Sequence, residues 1–273
     1  MIPSFRAGMF MKSHKSLLRR IHNSFFHRLI ARSCFEVGQS YHDKPLLRQK
    51  IAVNVSQFLN EKGFQTPLIL TKNECLEFWV SMGNASSSIG NRPEVYATKG
   101  RGIIDFLHTF WTPEVQIKDS LLELGCNCGA NLYWLNEIGY SQLSGVEISP
   151  AAVRQMRESF PSLAQRVPVH LGAMDAWLKN APSRSVDVIF TMGVSMHIHP
   201  VDNFVFREMT RVSKKYICTV EPESENSNYV FSRNYRRIFE RLGASQVKEK
   251  IIRRQEHPDL GGYIGCTARL FKT

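Results

Sequence analysis

From Asp119 onward, short apolar runs alternate with longer amphipathic segments, and this alternation constrains the fold more than any other feature of the chain. The runs that read as strands are 120–124, 142–147, 167–171, 186–191, 215–220, 244–251 and 263–271. Helical patterns near 129–138, 150–159, 173–180, 202–212 and 228–242 separate most of them. A strand followed by a helix and another strand folds into a mainly parallel sheet with both faces covered. The last two strands are joined through His257-Pro258-Asp259-Leu260-Gly261-Gly262, a turn-rich stretch with no helix. They are expected to pair as an antiparallel hairpin at the sheet edge.

Ahead of this region lie two others. Residues 1–70 are basic and helical in pattern, and residues 71–118 form a bridge to the third region, 119–273. The bridge predicts a helix over 73–82, a polar turn over 83–91 and a second helix over 102–110 that ends before Pro113. Trp79, Trp111 and Trp134 fall at helical positions and are expected in the core.

Charge is concentrated at the front. Residues 1–50 hold ten Lys/Arg against Glu36 and Asp43, so +8 of the chain's net +11 sits there and +3 is left for the rest. A nearly balanced body argues against a groove that wraps nucleic acid across the main region. Leu18, Ile21, Phe25 and Leu29 recur at helical spacing, so 15–32 reads as a basic amphipathic helix. That helix is either packed on its own protein or serves as a transit peptide, a membrane-surface anchor or a docking face for nucleic acid or protein. No apolar run approaches the ~18 residues of a bilayer span, and no secretory signal is expected. Six scattered cysteines, with only Cys126 and Cys128 close, give neither a zinc nor a redox spacing. A reducing compartment follows, cytoplasmic unless the basic helix directs the chain to an organelle.

The most informative run is Leu121-Leu122-Glu123-Leu124-Gly125-Cys126-Asn127-Cys128-Gly129-Ala130-Asn131-Leu132, an apolar strand, a glycine turn and a helix start. Open α/β sheets bind ligands at such turns, outside the carboxyl ends of the strands. Glu147 ends the next strand 22 residues after Gly125, close to the spacing of a carboxylate that grips ribose hydroxyls. A dinucleotide fingerprint needs glycine where the backbone meets the pyrophosphate, and here that position is Asn127. S-adenosylmethionine carries a ribose and an adenine without phosphate, and its ammonium group gives Glu123 a purpose.

Three segments, Glu123 to Gly129, Gly145 to Ser149 and Asp187 to Pro200, together resemble the class I S-adenosylmethionine-dependent methyltransferases over about residues 90–273. The loop is similar to that of a bacterial group that includes proteins acting on surface-polysaccharide sugars. The resemblance implies a Rossmann-like α/β fold, with a mostly parallel seven-stranded sheet and an antiparallel C-terminal hairpin behind a helical N-terminal region. It also implies that Glu123, Gly125, Cys126, Asn127 and Gly129 surround the methionine part, and that Glu147, with Ile148 beside it, takes the ribose. Met174, Asp175 and Ala176 would hold adenine, with Asp175 accepting from its amino group. Met192 and Gly193 would line the other side.

Methyl transfer asks the protein mainly for alignment, because the sulfonium already activates the methyl group. A hydroxyl acceptor also needs a base, and His197 stands beside the expected methyl position. The other reading of His197 is a histidine that caps or packs in a loop. Related enzymes often carry glutamate just before this histidine. Met196 stands there instead, preceded by Ser195, so no metal site is expected. Arg92, Tyr96, His199, Glu221 and Arg233, with Tyr235, are candidates to hold the acceptor. The expected activity is methylation of an oxygen or nitrogen of a small polar molecule, a glycan sugar first. The alternatives are RNA or protein methylation recruited by the basic arm, and a silent S-adenosylmethionine-binding partner module.

Overall fold

The computed structural model describes residues 47–61, 66, 68–81, 92–224, 226–227 and 229–273. The chain divides into two compact units, Met1–Ile69 and Leu70–Thr273. In the first, helix α1 (Leu47–Glu61) buries Val53, Ser56, Gln57 and Asn60 and exposes Ile51, Val55 and Phe58. The basic helix expected at 15–32 and the polar turn at 83–91 lie outside the described residues.

The second unit opens with three helices. Helix α2 (Lys72–Val80) starts at a capping box: the Thr71 hydroxyl accepts from the Glu74 N–H, and the Glu74 carboxylate accepts from the Thr71 N–H at 2.7 Å. Helix α3 (Pro93–Ala97) begins on a proline, which fits the first helical turn. Helix α4 (Gly102–Trp111) buries Ile103, Ile104, Phe106, Leu107 and Trp111 along one face.

The alternating region follows as β1 (Leu121–Leu124), α5 (Ala130–Ile138), β2 (Leu143–Glu147), α6 (Pro150–Ser159), α7 (Pro161–Arg166), β3 (Val169–Leu171), α8 (Met174–Asn180), β4 (Val186–Met192), α9 (Phe204–Val212), β5 (Ser213–Glu221), α10 (Tyr235–Arg241), β6 (Ser245–Ile251) and β7 (Thr267–Lys272). The sheet runs β3-β2-β1-β4-β5-β7-β6. Its first five strands are parallel, while β7 pairs antiparallel with both β5 and β6. This is the expected Rossmann-like sheet with its antiparallel hairpin, and β6 is the outer strand.

Period-two alternation sends the core to two sides. Leu121, Val188, Phe190, Cys218 and Leu270 pack with Trp111 and Leu107 of α4 and with Leu132 and Leu135 of α5. Leu122, Leu124, Ile189, Ile217 and Phe271 pack with Phe206 and Met209 of α9 and with Tyr235 and Phe239 of α10. A strand covered on both faces should be apolar throughout, and β1 is, apart from Glu123.

The two largest boundary differences from the sequence reading have local reasons. Helix α10 begins at Tyr235 rather than 228, because the Asn234 side chain accepts from the Arg237 N–H at 2.8 Å and caps it there. Strand β7 begins at Thr267 because Gly261–Tyr263 winds into a short 3-10 turn.

Candidate active site

Strand β1 ends in a loop that folds back on its neighbours. Gly125 has a φ of +74°, and a Cβ there would lie 2.7 Å from the Val194 side chain in the loop after β4. Only glycine permits both that backbone and that approach. Asn127 also sits in the left-handed region, at a φ of 49°, a conformation asparagine tolerates. Its side-chain oxygen accepts from the Cys128 N–H at 2.7 Å. Gly129 caps α5, with Met156 packed where its Cβ would be.

Glu147, at the end of β2, pins this loop. One oxygen accepts from the Asn127 N–H at 2.7 Å and the other from the Ser149 N–H at 2.8 Å. Burial raises its pKa, while the two N–H groups work against that shift. Ile148 beside it is half-buried. Cys126 and Cys128 are buried free thiols, and burial pushes Cys128 up to about 12, so both are unreactive packing groups.

Glu123 points to the Leu121 side of the sheet and is 2 % exposed. Its Oε1 accepts from Asn131 Nδ2 at 2.6 Å, and its Oε2 is buried with no partner. Asn131 also lies 3.7 Å from the Met192 sulfur, so it ties the end of β1 to the end of β4. Burial holds the Glu123 carboxyl up to about 8. Tyr96 of α3 stands near this carboxyl, with its hydroxyl 2.7 Å from that of Tyr263. The structure thus sets Tyr96, an acceptor candidate by sequence, near Glu123 and Asn131.

After β3, Met174, Asp175 and Ala176 open α8. Asp175 pairs with Lys72 of α2 at 3.3 Å, and the same ammonium reaches Asp202 at 2.8 Å. Burial opposes the Lys72 charge, but the two carboxylates prevail and raise its pKa.

The loop after β4 is held from below and from the side. Glu221, fully buried at the end of β5, accepts from the N–H groups of Val194, Ser195 and Met196. Burial lifts its carboxyl to about 7 against those bonds. Arg233 donates to the carbonyls of Ser195, Ile198 and Phe231 and to Asn203 Oδ1. Both residues are occupied in shaping the loop, whereas the sequence reading gave them to the acceptor. Tyr235 is buried against Phe206 and is a packing residue. Arg92 stands at the N-terminal boundary of α3 without a side-chain capping bond, its Nε buried and unpartnered.

At the tip of this loop the His197 ring lies between two aromatic rings. Trp79 of α2 is 4.2 Å away, tilted at 54°, and Tyr229 is stacked at 5.8 Å. Phe78 adds a further ring 5.0 Å from Tyr229. Trp79 is therefore part of this cluster and only half-buried, unlike Trp111, which is fully buried, while Trp134 packs partly buried against the core. His197 Nδ1 lies 3.1 Å from the Tyr229 carbonyl, an acceptor, so Nδ1 carries the proton and Nε2 keeps its lone pair. Desolvation by the flanking rings lowers the His197 pKa to about 4. His199 is turned inward, with Nδ1 accepting from the Val201 N–H at 3.3 Å. Gly193 has a φ of +65° and open space where a Cβ would stand.

Trp79, Asn131, Tyr229 and Tyr263 were not singled out for this site by sequence. Asn131 alone had a local signal, at the second residue of the helix that follows the glycine loop. Among the described residues, no group of three or more His, Cys, Asp or Glu converges as a metal site, and no helix is long and apolar enough to cross a membrane.

Residues 121–216 match the family described as a methyltransferase domain. No curated protein matches the sequence. Among solved structures, the chain is similar to geranyl diphosphate C-methyltransferase from Streptomyces coelicolor A3(2), solved with Mg2+, geranyl diphosphate and S-adenosyl-L-homocysteine. The two are 13% identical with a TM-score of 0.52, over 74% of this chain and 98% of that one. An S-adenosylmethionine-dependent methyltransferase from Mesorhizobium loti is 14% identical with a TM-score of 0.51, over 64% and 99%. One from Archaeoglobus fulgidus is 15% identical with a TM-score of 0.50, over 64% and 95%. At these identities the likeness establishes the fold.

Proposed function

We propose that this chain, an S-adenosylmethionine-dependent methyltransferase, transfers the methyl group to an oxygen or nitrogen of a small polar acceptor, with a hydroxyl of a glycan sugar as first choice. When bound, the cofactor supplies a sulfonium-activated methyl group. The residues present fit it. The unpartnered Oε2 of Glu123 is an acceptor suited to the ammonium of its methionine part. Glu147 retains lone pairs for ribose hydroxyls beyond its two backbone bonds. Asp175 is the candidate partner of the adenine amino group, with Met174, Ala176 and Ile148 around the base. Gly193 leaves room at the end of β4.

The single observation that carries the acceptor reading is His197 held neutral between rings, with Nε2 as an acceptor. A hydroxyl that donates to Nε2 would be oriented there and would give up its proton to it. Trp79, Tyr229 and Phe78 offer flat apolar faces for the ring of such a molecule. Glu221 and Arg233 keep the loop rigid, which alignment requires. The test is methyl release measured across nucleotide sugars, oligosaccharides, RNA and proteins. Turnover on sugars is expected, and turnover confined to RNA or protein would overturn the acceptor assignment.

A further inference from the structure

Glu221 ends β5 fully buried, and among the described residues it makes no ion pair. Backbone dipoles meet its charge instead. Oε1 accepts from the N–H groups of Val194 at 3.1 Å and Ser195 at 2.9 Å, and Oε2 accepts from that of Met196 at 3.3 Å. These consecutive N–H groups open the 3-10 turn Ser195–His197, so the two carboxyl oxygens hold different parts of it. Oε2 alone holds the residue that precedes His197. The Met196 carbonyl accepts in turn from the Phe231 N–H at 2.7 Å.

A carboxylate can serve all three N–H groups, and a carboxylic acid cannot. A proton on Oε2 makes that oxygen a donor facing the Met196 N–H, and the bond between them is given up. The proton has an acceptor close by. Thr191 stands beside the carboxyl, and its hydroxyl pairs with that of Ser195 at 2.9 Å, where either can donate. Thr191 then accepts from Glu221 and donates to Ser195. The other groups that face the carboxyl are Tyr235 of α10, within charge range, and Thr267, its partner on β7. Glu223 and Arg233 lie within charge range of Tyr235, and Arg233 also within that of His197. Burial raises the Glu221 carboxyl to about 7, so it takes up its proton near neutral pH, whereas His197 stays neutral down to about 4.

We propose that Glu221 is a positioning residue: ionised, it holds the turn that aims His197 Nε2 at the acceptor, and on taking up a proton it releases Met196 and the aim is lost. The acid limb of methyl transfer then belongs to Glu221 and not to the base. The proposal rests on His197 being the base for a hydroxyl acceptor. Acidity acts through the backbone of the turn, and no group at the reacting atoms changes charge.

The test is a pH titration of the full chain, read in two ways. In the parent protein, nuclear magnetic resonance should show the Glu221 carboxyl carbon, the Met196 amide and the His197 ring shifting together, with one midpoint near pH 7. With a nucleotide-sugar acceptor, kcat/KM should fall below that same midpoint. Glu221→Gln keeps an acceptor oxygen for Val194 and Ser195 but turns an N–H donor toward Met196, so it copies the protonated form. Its kcat/KM should be roughly tenfold below the parent's at about pH 8 and constant from about pH 5 to 8. The proposal is overturned if this variant keeps the acid limb, if the parent shows no fall near pH 7, or if Met196 and His197 do not follow Glu221 in the parent. Lack of turnover on sugars would overturn the acceptor reading instead, and the parent's resonances would still decide whether Glu221 governs the turn.

Discussion

Asn131 donates its side-chain N–H to one oxygen of Glu123 at 2.6 Å, while the other oxygen of that carboxyl is buried without a partner. A half-satisfied carboxyl inside an apolar strand is unfavourable for the fold, and such groups persist where a site needs them. The same asparagine contacts Met192, so this carboxyl is positioned from β4 as well as from β1.

The unliganded protein should be stabilised by Glu123→Gln. Its folded pKa, about 8, lies above the ordinary carboxyl value, so the native state keeps a proton that the unfolded chain releases. Stability therefore declines as pH rises from the ordinary carboxyl range to about 8, by at most about 1.4 kcal/mol per pH unit. The variant loses that term. Its gain in Tm over the parent should grow between about pH 5 and 8 and then level off, as followed by thermal unfolding. A gain that does not change with pH would mean that Glu123 is ionised and paired in the folded protein.

Glu147→Ala should damage two things at once. It removes the acceptor of the Asn127 and Ser149 N–H groups, and with them the grip of β2 on the glycine loop. Affinity for S-adenosylhomocysteine should fall by roughly 1.5–3 kcal/mol, and Tm should fall in the unliganded protein. Glu147→Gln keeps one acceptor oxygen and should recover part of the stability. Unchanged affinity in the alanine variant would place the ribose elsewhere.

The strand–helix alternation and the run through Glu123, Gly125, Gly129 and Glu147 were legible because their signals are local: period-two runs, glycines at turns, a carboxylate at a strand end. Tyr263, Trp79 and Tyr229 were not, since each comes from a distant segment and only the folded chain brings it to the site. Glu221 and Arg233 show a different limit. Their position near the ligand-bearing edge was readable, but which backbone groups they would meet was not. Three N–H groups take up the carboxylate, and carbonyls take up most of the guanidinium donors.

Arg233→Ala should behave as loss of a brace rather than loss of an acceptor contact. It leaves the carbonyls of Ser195, Ile198 and Phe231 without that donor, at a stability cost of about 1–3 kcal/mol. Lysine cannot reproduce the planar fork and should rescue little. Turnover should fall with acceptor KM nearly constant, because His197 is carried on the loop that Arg233 holds. Steady-state kinetics showing a raised KM, with Tm unchanged, would return Arg233 to the acceptor.

His197 separates alignment from proton removal. An ordinary imidazole titrates near neutrality, and a base of that kind would give a rate that falls below about pH 7. The folded environment changes that: the flanking rings desolvate the imidazole and hold its pKa to about 4, so it stays neutral through the physiological range. A pKa lowered in this way moves the acid limb of the rate profile to about pH 4 in the free enzyme. For a hydroxyl acceptor, kcat/KM should therefore be flat between pH 5 and 7 as far as this group is concerned. His197→Ala should lower turnover by roughly 10²–10⁴, the range for loss of a general base, while S-adenosylhomocysteine affinity barely changes. His197→Asn, able to donate to the Tyr229 carbonyl but unable to take up the proton, should be as inactive as alanine and more stable. If asparagine restored turnover, the ring would be a brace for the 226–231 loop, and alignment alone would be the catalytic device.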